Sequence, residues 1–415
     1  MNKKIFLFDW VSLILCFVLI IFGLTNIYSS TYTEDSSLFN FSIPVGKQFL
    51  FLIISSIISI IILFINSKFF EQFSSIIYFI SIILLIGLFL FGKNISGATS
   101  WYTFGGIGFQ PSEFAKLATS LAVAKIMSEI QMNISKIKYL MQLGIIILLP
   151  AMLIAIQPDP GTALIFSAFF FVLFREGLSY IFLVIMISII SLFILSLIFP
   201  INLLLIILLI LIISLYKFAR KLNSKTSFLP YLLSIILSFS YIISVNYIFE
   251  QIFEQRHRDR FNLILGQDVD DKGIGYNTNQ SIIAIGSGGW KGKGFLQGTQ
   301  TKGDFVPEQH TDYIFSTIGE EWGFLGCILV IIAFIFLIYR IAQRAEKQKN
   351  KFSRIYSYSL ASILMLHFFL NIGMSIGIVP SIGIPLPFLS YGGSSLLTFT
   401  CMMFVYFNLD ANRLD

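Results

Sequence analysis

Charge is scarce in this sequence. Its 415 residues hold 28 Lys or Arg and 22 Asp or Glu, so only 12% are charged, against about 25% in an ordinary soluble domain. Together with an apolar content of 56%, that excludes a disordered chain and a nucleic-acid binder carried by a basic face, and it argues against a soluble globular protein. No nucleic-acid partner is expected. Cysteine is scarcer still. Cys16, Cys327 and Cys401 each sit in an apolar run, and no two are spaced like metal ligands, which excludes a disulfide scaffold and leaves lone membrane thiols. His257, His310 and His367 are too scattered to form a metal site by spacing.

What is abundant is long apolar runs, with 45 Phe residues among them. A bilayer span needs about 20 mostly apolar residues. Candidate spans lie near 11–30, 46–66, 73–93, 111–128, 139–157, 161–175, 179–199, 201–217, 228–250, 314–339, 355–378 and 389–409, the fourth and sixth being short or polar. Lys3-Lys4 before an apolar run resembles a signal peptide, but no small-residue cleavage site follows. The fold class expected is therefore all-α: a polytopic membrane protein of about twelve transmembrane helices. Lys and Arg set its orientation. With the N-terminus inside, most of the 28 basic residues fall on inner connectors, including the run Arg340–Arg354, and the C-terminus also lands inside.

Segment 251–313 breaks the pattern. It is polar, Gly-rich and too long for a simple connector, and parity places it outside. Segments 94–110 (GATSWYTFGGIGFQ) and 157–162 (QPDPGT) are outer connectors too. Three tempting motifs fail. Gly286–Gly294 lacks the Gly and Ser/Thr positions of a phosphate loop, and its third Gly is one residue late for a dinucleotide fingerprint; no organic cofactor is expected. Asp268–Gly273 begins like a calcium loop, but Lys272 and Asn279 stand where oxygen ligands belong. Gly373–Gly377 matches a serine-hydrolase elbow, yet His367 lies about 12 Å along the helix from Ser375, beyond hydrogen-bond reach.

Ionisable residues near a membrane are expensive and mark function. Three sets stand out, all on the outer side. In Pro307-Glu308-Gln309-His310-Thr311-Asp312-Tyr313, Pro307 suits a helix start and Asp312 sits at the membrane boundary. A half-buried carboxylate there can act as a general base, the alternative being a helix cap. Glu320-Glu321 lie two turns deeper, where an inward-facing base would pair them. In Gln110-Pro111-Ser112-Glu113-Phe114-Ala115-Lys116, Glu113 and Lys116 share a helix face. Either Glu113 neutralises Lys116 or both line a polar cavity. Arg256, Arg258 and Arg260 alternate, so an extended segment would point all three one way. Arginine forks fit diphosphate oxygens, the alternative being lipid headgroups. A base, several cations and an outward-opening cavity suit transfer on a lipid-linked diphosphate.

The string from Gln280 to Gly319, QSIIAIGSGGWKGKGFLQGTQTKGDFVPEQHTDYIFSTIG, resembles the SEDS proteins (shape, elongation, division and sporulation). QPSEFAK, QPDPGT and GIPLPFLSYGGSS resemble that family in the same order, and GKG followed by GTQT is similar to its RodA branch rather than its FtsW branch. The resemblance covers nearly the whole chain except about 200–250. It implies a peptidoglycan glycosyltransferase that polymerises lipid II, with Asp312 as the essential catalytic residue. By the same resemblance Lys116, Glu113, Arg258, Arg260, Trp101 and Asp159 are functional, and Lys293, Glu308 and His310 lie in the shared motifs as substrate-binding candidates. It implies a divalent cation, Mg or Mn, in activity, without naming metal ligands. It also implies a class B penicillin-binding protein transpeptidase as partner within the cell-elongation machinery. Ser100 departs from the basic residue usual before the Trp, and Pro160 from the usual Leu. The family's ten spans would leave 201–250 as a two-helix insertion, so the single SEDS membrane domain would run 1–415.

From these residues the expected reaction is attack by an acceptor 4-hydroxyl on the anomeric carbon of a lipid-diphosphate disaccharide, with inversion. Asp312 takes the proton, and Arg258, Arg260 and Lys116 steady the departing undecaprenyl diphosphate. The setting implied is the bacterial inner membrane, with the active site outside. A lipid II flippase is the alternative, disfavoured because it needs charges through both leaflets. An FtsW-like division protein and a scaffold for the penicillin-binding protein are further readings.

Overall fold

The computed structural model describes residues 8–32, 40–41, 43–95, 97–104, 107–129, 134, 136–252, 255–264 and 275–413. Lys3, Lys4 and the calcium-loop candidate 268–273 lie outside the described residues, as does the side chain of Arg256.

The helices are α1 (Trp10–Ser30), α2 (Pro44–Phe64), α3 (Ser67–Phe91), α4 (Pro111–Ser128), α5 (Ile137–Ile156), α6 (Pro160–Ile165), α7 (Phe169–Arg175), α8 (Tyr180–Ile198), α9 (Ile201–Leu222), α10 (Leu229–Tyr247), α11 (Gln255–Ile264), α12 (Gly275–Ser287), α13 (Thr299–Lys302), α14 (Ile314–Ala345), α15 (Lys351–Ser375) and α16 (Gly393–Ala411). Each predicted span coincides with a helical segment, α6 and α7 forming one pair around a 3₁₀ turn. Among the described residues, nine helices are long and apolar enough to cross a membrane; α4, the α6–α7 pair and α16 are shorter or more polar. Proline explains several entries. Pro44, Pro111 and Pro160 each occupy the first turn of a helix, where no N–H is needed. Exposed side chains such as Phe64, Leu90 and Leu237 crowd the outer faces, a surface that a chain sustains in lipid rather than in water. The protein is an all-α, multi-pass membrane protein.

The connector between α3 and α4 departs from the all-helical expectation. β1 (Lys93–Ile95), β2 (Ala98–Phe104) and β3 (Ile107–Phe109) form an antiparallel sheet in the order β1-β2-β3. Tyr102 pairs with Phe109 and Thr103 with Gly108. Thr and aromatic residues favour the pleated conformation, and the Tyr102 hydroxyl donates to the Leu84 carbonyl of α3 at 2.9 Å, fastening the sheet to the helices.

The chain divides into two compact units. In the first, Met1–Gly177 with Tyr276–Asp415, α15 is the most enclosed spanning helix, 72% of its apolar window being buried. It packs against α4, α7, α14 and α16. α4 is enclosed from Pro111 to Ala124 apart from Phe114. The second unit, Leu178–Gly275, contains α8, α9, α10 and α11. Its three long helices are exposed and apolar along nearly their whole length.

At one end of the first unit a charge cluster ties three chain segments. Asp9, fully buried, accepts from Arg340 Nε at 2.6 Å, Ser12 Oγ at 2.6 Å and the Tyr406 hydroxyl at 3.0 Å. Arg344 Nε donates to Asp410 Oδ2 at 2.9 Å. Burial pushes the Asp9 carboxyl upward, but Ser12 and the two guanidinium groups outweigh it and hold it below the usual carboxylate range.

Candidate active site

Asp312 lies in the last turn before α14 and is half-buried. The segment does not start a helix at Pro307, as the sequence suggests. Residues 306–313 form successive turns because Glu308 takes a left-handed φ of 58°. Its carbonyl then accepts from both Thr311 N at 3.1 Å and Tyr313 N at 3.2 Å. The helix cap is Tyr313 rather than Asp312. Glu308 itself is exposed and accepts from Thr311 Oγ1 at 2.9 Å. The His310 carbonyl accepts from Tyr391 N at 2.8 Å. Burial pushes the His310 imidazole below its ordinary pKa, against the opposing pull of Glu308 and Asp304.

The ground beneath Asp312 is the start of the GIPLPFLSYGGSS segment, whose approach to Asp312 no sequence pattern showed. Gly383 has φ 69°, and a Cβ built on it would lie 3.4 Å from Asp312 Oδ2. The next two carbonyls are gripped by α15. Asn371 Nδ2 donates to Ile384 O at 2.7 Å and to Asp312 O at 2.8 Å. His367 Nδ1 lies 3.1 Å from Pro385 O. Farther along, Gln48 Nε2 donates to Ser390 O at 3.3 Å and Gly392 N donates to Gln48 Oε1 at 3.1 Å. The signal for these residues was available: Asn371 and His367 are polar groups four apart in an apolar span.

Lys116 and Glu113 are enclosed, at 0% and 2% exposure, which decides that the pair faces protein. Lys116 Nζ is 2.7 Å from Glu113 Oε1 and 3.0 Å from His367 Nε2, and sits 5.0 Å from the centre of the Phe399 ring. This placement favours neutralisation by Glu113 over a polar cavity lining. Ser375, the elbow candidate, donates to Asn371 O at 3.0 Å, an ordinary back-bond along its own helix.

The remaining motif residues hold the frame. Asp159 caps α6, Oδ1 accepting from Thr162 N at 3.0 Å, while Oδ2 accepts from Gln110 Nε2 at 3.2 Å, so QPDPGT is tied to QPSEFAK. Trp101 lies over Gly108, where a Cβ would approach its ring to 2.9 Å. Lys293 donates to Glu320 Oε1 at 2.7 Å, the inward-facing base expected for that carboxylate. Glu320 also accepts from Gln300 N and Thr301 N, both at 2.8 Å, and from Thr301 Oγ1 at 2.7 Å. That explains GKG and GTQT together: they wrap one carboxylate. The Glu321 carboxylate accepts from Ser29 Oγ and from Leu296 N, bonds to neutral donors rather than to a base.

The failed phosphate loop is a helix splice. α14 breaks at Gly323, where φ is 65° and ψ is −163°. Lys293 N and Gly294 N donate to the Glu320 and Glu321 carbonyls at 2.9 and 3.0 Å, and Phe324 N and Leu325 N donate to the Gly289 and Trp290 carbonyls at 2.9 and 3.2 Å. The turn thus supplies the rungs the helix lost. A Cβ on Gly292 would meet Glu321 O at 2.1 Å, so the approach requires glycine.

The arginines differ from expectation. Gln255–Ile264 is α11, a helix, with Gln255 Nε2 donating to Asp259 Oδ1 at 2.7 Å across one turn. Alternate residues on a helix diverge by about 200°, so Arg258 and Arg260 do not share a face. Arg258 Nη1 donates to Glu250 O at 3.0 Å, and Arg258 and Arg260 are half-buried. Both belong to the second unit.

Among the described residues, no three His, Cys, Asp or Glu side chains gather to hold a metal ion, so the implied cation has no ready cage. A cavity of about 920 Å³ opens between α1, α2 and α16, its mostly apolar wall interrupted by Ser59, Lys68, Thr400 and Asn408 among other polar residues. None of the site residues predicted from sequence lines it.

The chain is similar to proteins of a known family. The family model for FtsW, RodA and SpoVE, described as cell cycle protein, matches residues 9–220 and 205–414. The peptidoglycan glycosyltransferase MrdB of Escherichia coli is 32% identical over 358 residues, covering 86% of this chain and 83% of that one. The peptidoglycan glycosyltransferase RodA of Treponema pallidum is 29% identical over 432 residues, 98% of each. Among solved structures, a chain from a peptidoglycan synthase complex that coordinates polymerization and crosslinking is similar with a TM-score of 0.71 at 22% identity, covering 98% of both chains. The rod shape determining protein RodA of Thermus thermophilus gives 0.64 at 20% identity, again covering 98% of each. At those identities the structural likeness speaks to fold alone.

Proposed function

Because the chain belongs to the FtsW/RodA/SpoVE family of SEDS proteins, and is a membrane-embedded peptidoglycan glycosyltransferase of the RodA type, we propose that it polymerises lipid II into glycan strands for cell elongation with Asp312 as general base. The observation that carries this reading is the placement of Asp312. It is a half-buried carboxylate on a turn at the foot of α14, with its own carbonyl pinned by Asn371 and its Oδ2 over the Gly383 turn. A carboxylate held by a fixed backbone at the edge of the core can meet an incoming hydroxyl as a general base.

In the proposed step, Asp312 takes the proton of the acceptor's 4-hydroxyl as that oxygen bonds to the donor's anomeric carbon. The bond from that carbon to the diphosphate oxygen breaks, undecaprenyl diphosphate leaves with the electron pair, and the anomer inverts. The roles of Arg258 and Arg260 toward the diphosphate rest on the resemblance and on the fit of guanidinium to phosphate. Glu308 and His310 flank the base in sequence, with His310 favoured neutral.

The location proposed is the bacterial cytoplasmic membrane, and the positive-inside rule supports both termini cytoplasmic and Asp312 outside. Elongation, rather than division, is supported by the RodA-like GKG and GTQT strings. Membership of the family supports a class B penicillin-binding protein as partner. The test is polymerisation of labelled lipid II by purified protein, with and without that partner. Wild type gives glycan ladders, and Asp312→Ala loses about 10²–10⁴ in rate. Asp312→Asn polymerising at the wild-type rate refutes the base assignment. No ladder under any condition, with both proteins folded, transfers the assignment to a flippase.

A further inference from the structure

We propose that Asn371 and His367 are positioning residues for Asp312, and that Lys116 acts on the reaction through His367 rather than on the substrate. This inference rests on Asp312 being the catalytic residue.

The argument starts with protons. Lys116 is held within 2.7 Å of the Glu113 carboxylate, so it is an ammonium, and an ammonium only donates. His367 Nε2, 3.0 Å away, must therefore accept. A neutral imidazole with Nε2 as acceptor carries its proton on Nδ1. That N–H then donates to Pro385 O at 3.1 Å. The buried ion pair thus selects a single tautomer of His367, and that tautomer holds one carbonyl of the turn beneath Asp312.

Four residues on, one helical turn along the same face of α15, Asn371 holds the neighbouring carbonyl, Ile384 O, at 2.7 Å. The same amide nitrogen holds Asp312 O at 2.8 Å. One NH₂ group thus uses both its protons to fix the catalytic residue's backbone to the turn its carboxylate overlies. Gly383, whose Cα faces Asp312 Oδ2, directly precedes the two gripped carbonyls. Asn371 and His367 are 0% and 1% exposed, so substrate does not reach them. Their contribution is geometric, and a displacement of about 1 Å at a reacting group can cost about 100-fold in rate.

The experiment uses the full chain with its penicillin-binding partner, and follows lipid II polymerisation as a function of substrate concentration. Asn371→Leu removes both donors in a similar volume. Its kcat is expected to fall about 100-fold, with KM within about twofold, since positioning acts in the transition state. His367→Leu should fall likewise, and His367→Asn, which restores a donor near Nδ1, should recover most of the loss. Gel filtration and thermal melting check folding. If Asn371→Leu does not fold, Asn371→Asp decides, because it keeps the shape and presents oxygens where donors are required. Wild-type kcat in either folded Asn371 variant overturns the proposal, as does a loss confined to KM or a His367→Asn no better than His367→Leu. Asp312→Ala runs in parallel. If it is fully active, the base assignment fails; if it is inactive while folded Asn371 variants are normal, only the positioning role fails.

Discussion

Replacing Glu320 with alanine should loosen the turn that carries GKG and GTQT without dissolving the helical core. The side chain is fully buried. It accepts from Lys293 Nζ at 2.7 Å, from Gln300 N and Thr301 N at 2.8 Å, and from Thr301 Oγ1 at 2.7 Å. Removing one member of a buried ion pair costs about 3–5 kcal/mol, much of it from the partner left uncompensated. Lys293 is 26% exposed and recovers water, which moves the expected loss to the lower end. A loss of about 3 kcal/mol is about 100-fold in the opening equilibrium of the turn. Amide hydrogen exchange on the intact protein in detergent reads this directly, because Gln300 and Thr301 lose their acceptor. Their exchange should accelerate about 100-fold, while amides in the middle of α15 keep their protection. Glu320→Gln retains an acceptor and loses the charge, so about 1–2 kcal/mol is expected. Exchange at Gln300 and Thr301 within about threefold of wild type in Glu320→Ala would show that the carboxylate does not hold the turn.

Gly383→Ala places a methyl group at a φ of 69° and 3.4 Å from Asp312 Oδ2; the left-handed backbone costs about 1–2 kcal/mol, and glycan ladders should shrink far more than the melting temperature falls. Asp9 has a depressed carboxyl pKa in the fold, so its stabilising contribution is full above the unfolded value of about 3.9 and is lost as pH falls through the folded one. Thermal melts of wild type and Asp9→Asn should therefore differ by a constant amount from pH 7 to pH 5 and converge only below about pH 4. His310 is also depressed; stability tied to its neutral form is full above about pH 6.5 and declines as pH falls through the folded value, a decline that His310→Asn should remove.

Helix positions were legible because span length and proline entries are local signals. Pro111 begins α4 where its expected span starts. The motif strings were legible as strings, but not their mutual contacts. Gln110 and Asp159 meet at 3.2 Å across 49 residues, and Gln48 reaches the 390–392 segment across more than 340. No periodicity encodes such pairs. The three arginines misled because alternation reads as an extended strand, whereas the Gln255–Asp259 bond across one turn belongs to a helix. Glu308 misled because its left-handed turn is set by the packing around it, and Pro307 alone reads as a helix start. Arg340 and Arg344 read as topology markers; that they also close on Asp9 and Asp410 depends on both chain ends returning to one place.

The ion pair within α4 also bears on how the protein is made. Lys116 and Glu113 lie three residues apart, so the helix brings its own counterion when it leaves the ribosome and enters the bilayer as a zwitterion rather than a bare cation. His367, the third member, is translated 251 residues later. Until α15 arrives, α4 has neither that acceptor nor the helix that covers it. The shape around Asp312 is therefore completed late in synthesis, and a ribosome that stalls before residue 367 leaves a chain whose α4, with its buried ion pair, is still waiting for its neighbour.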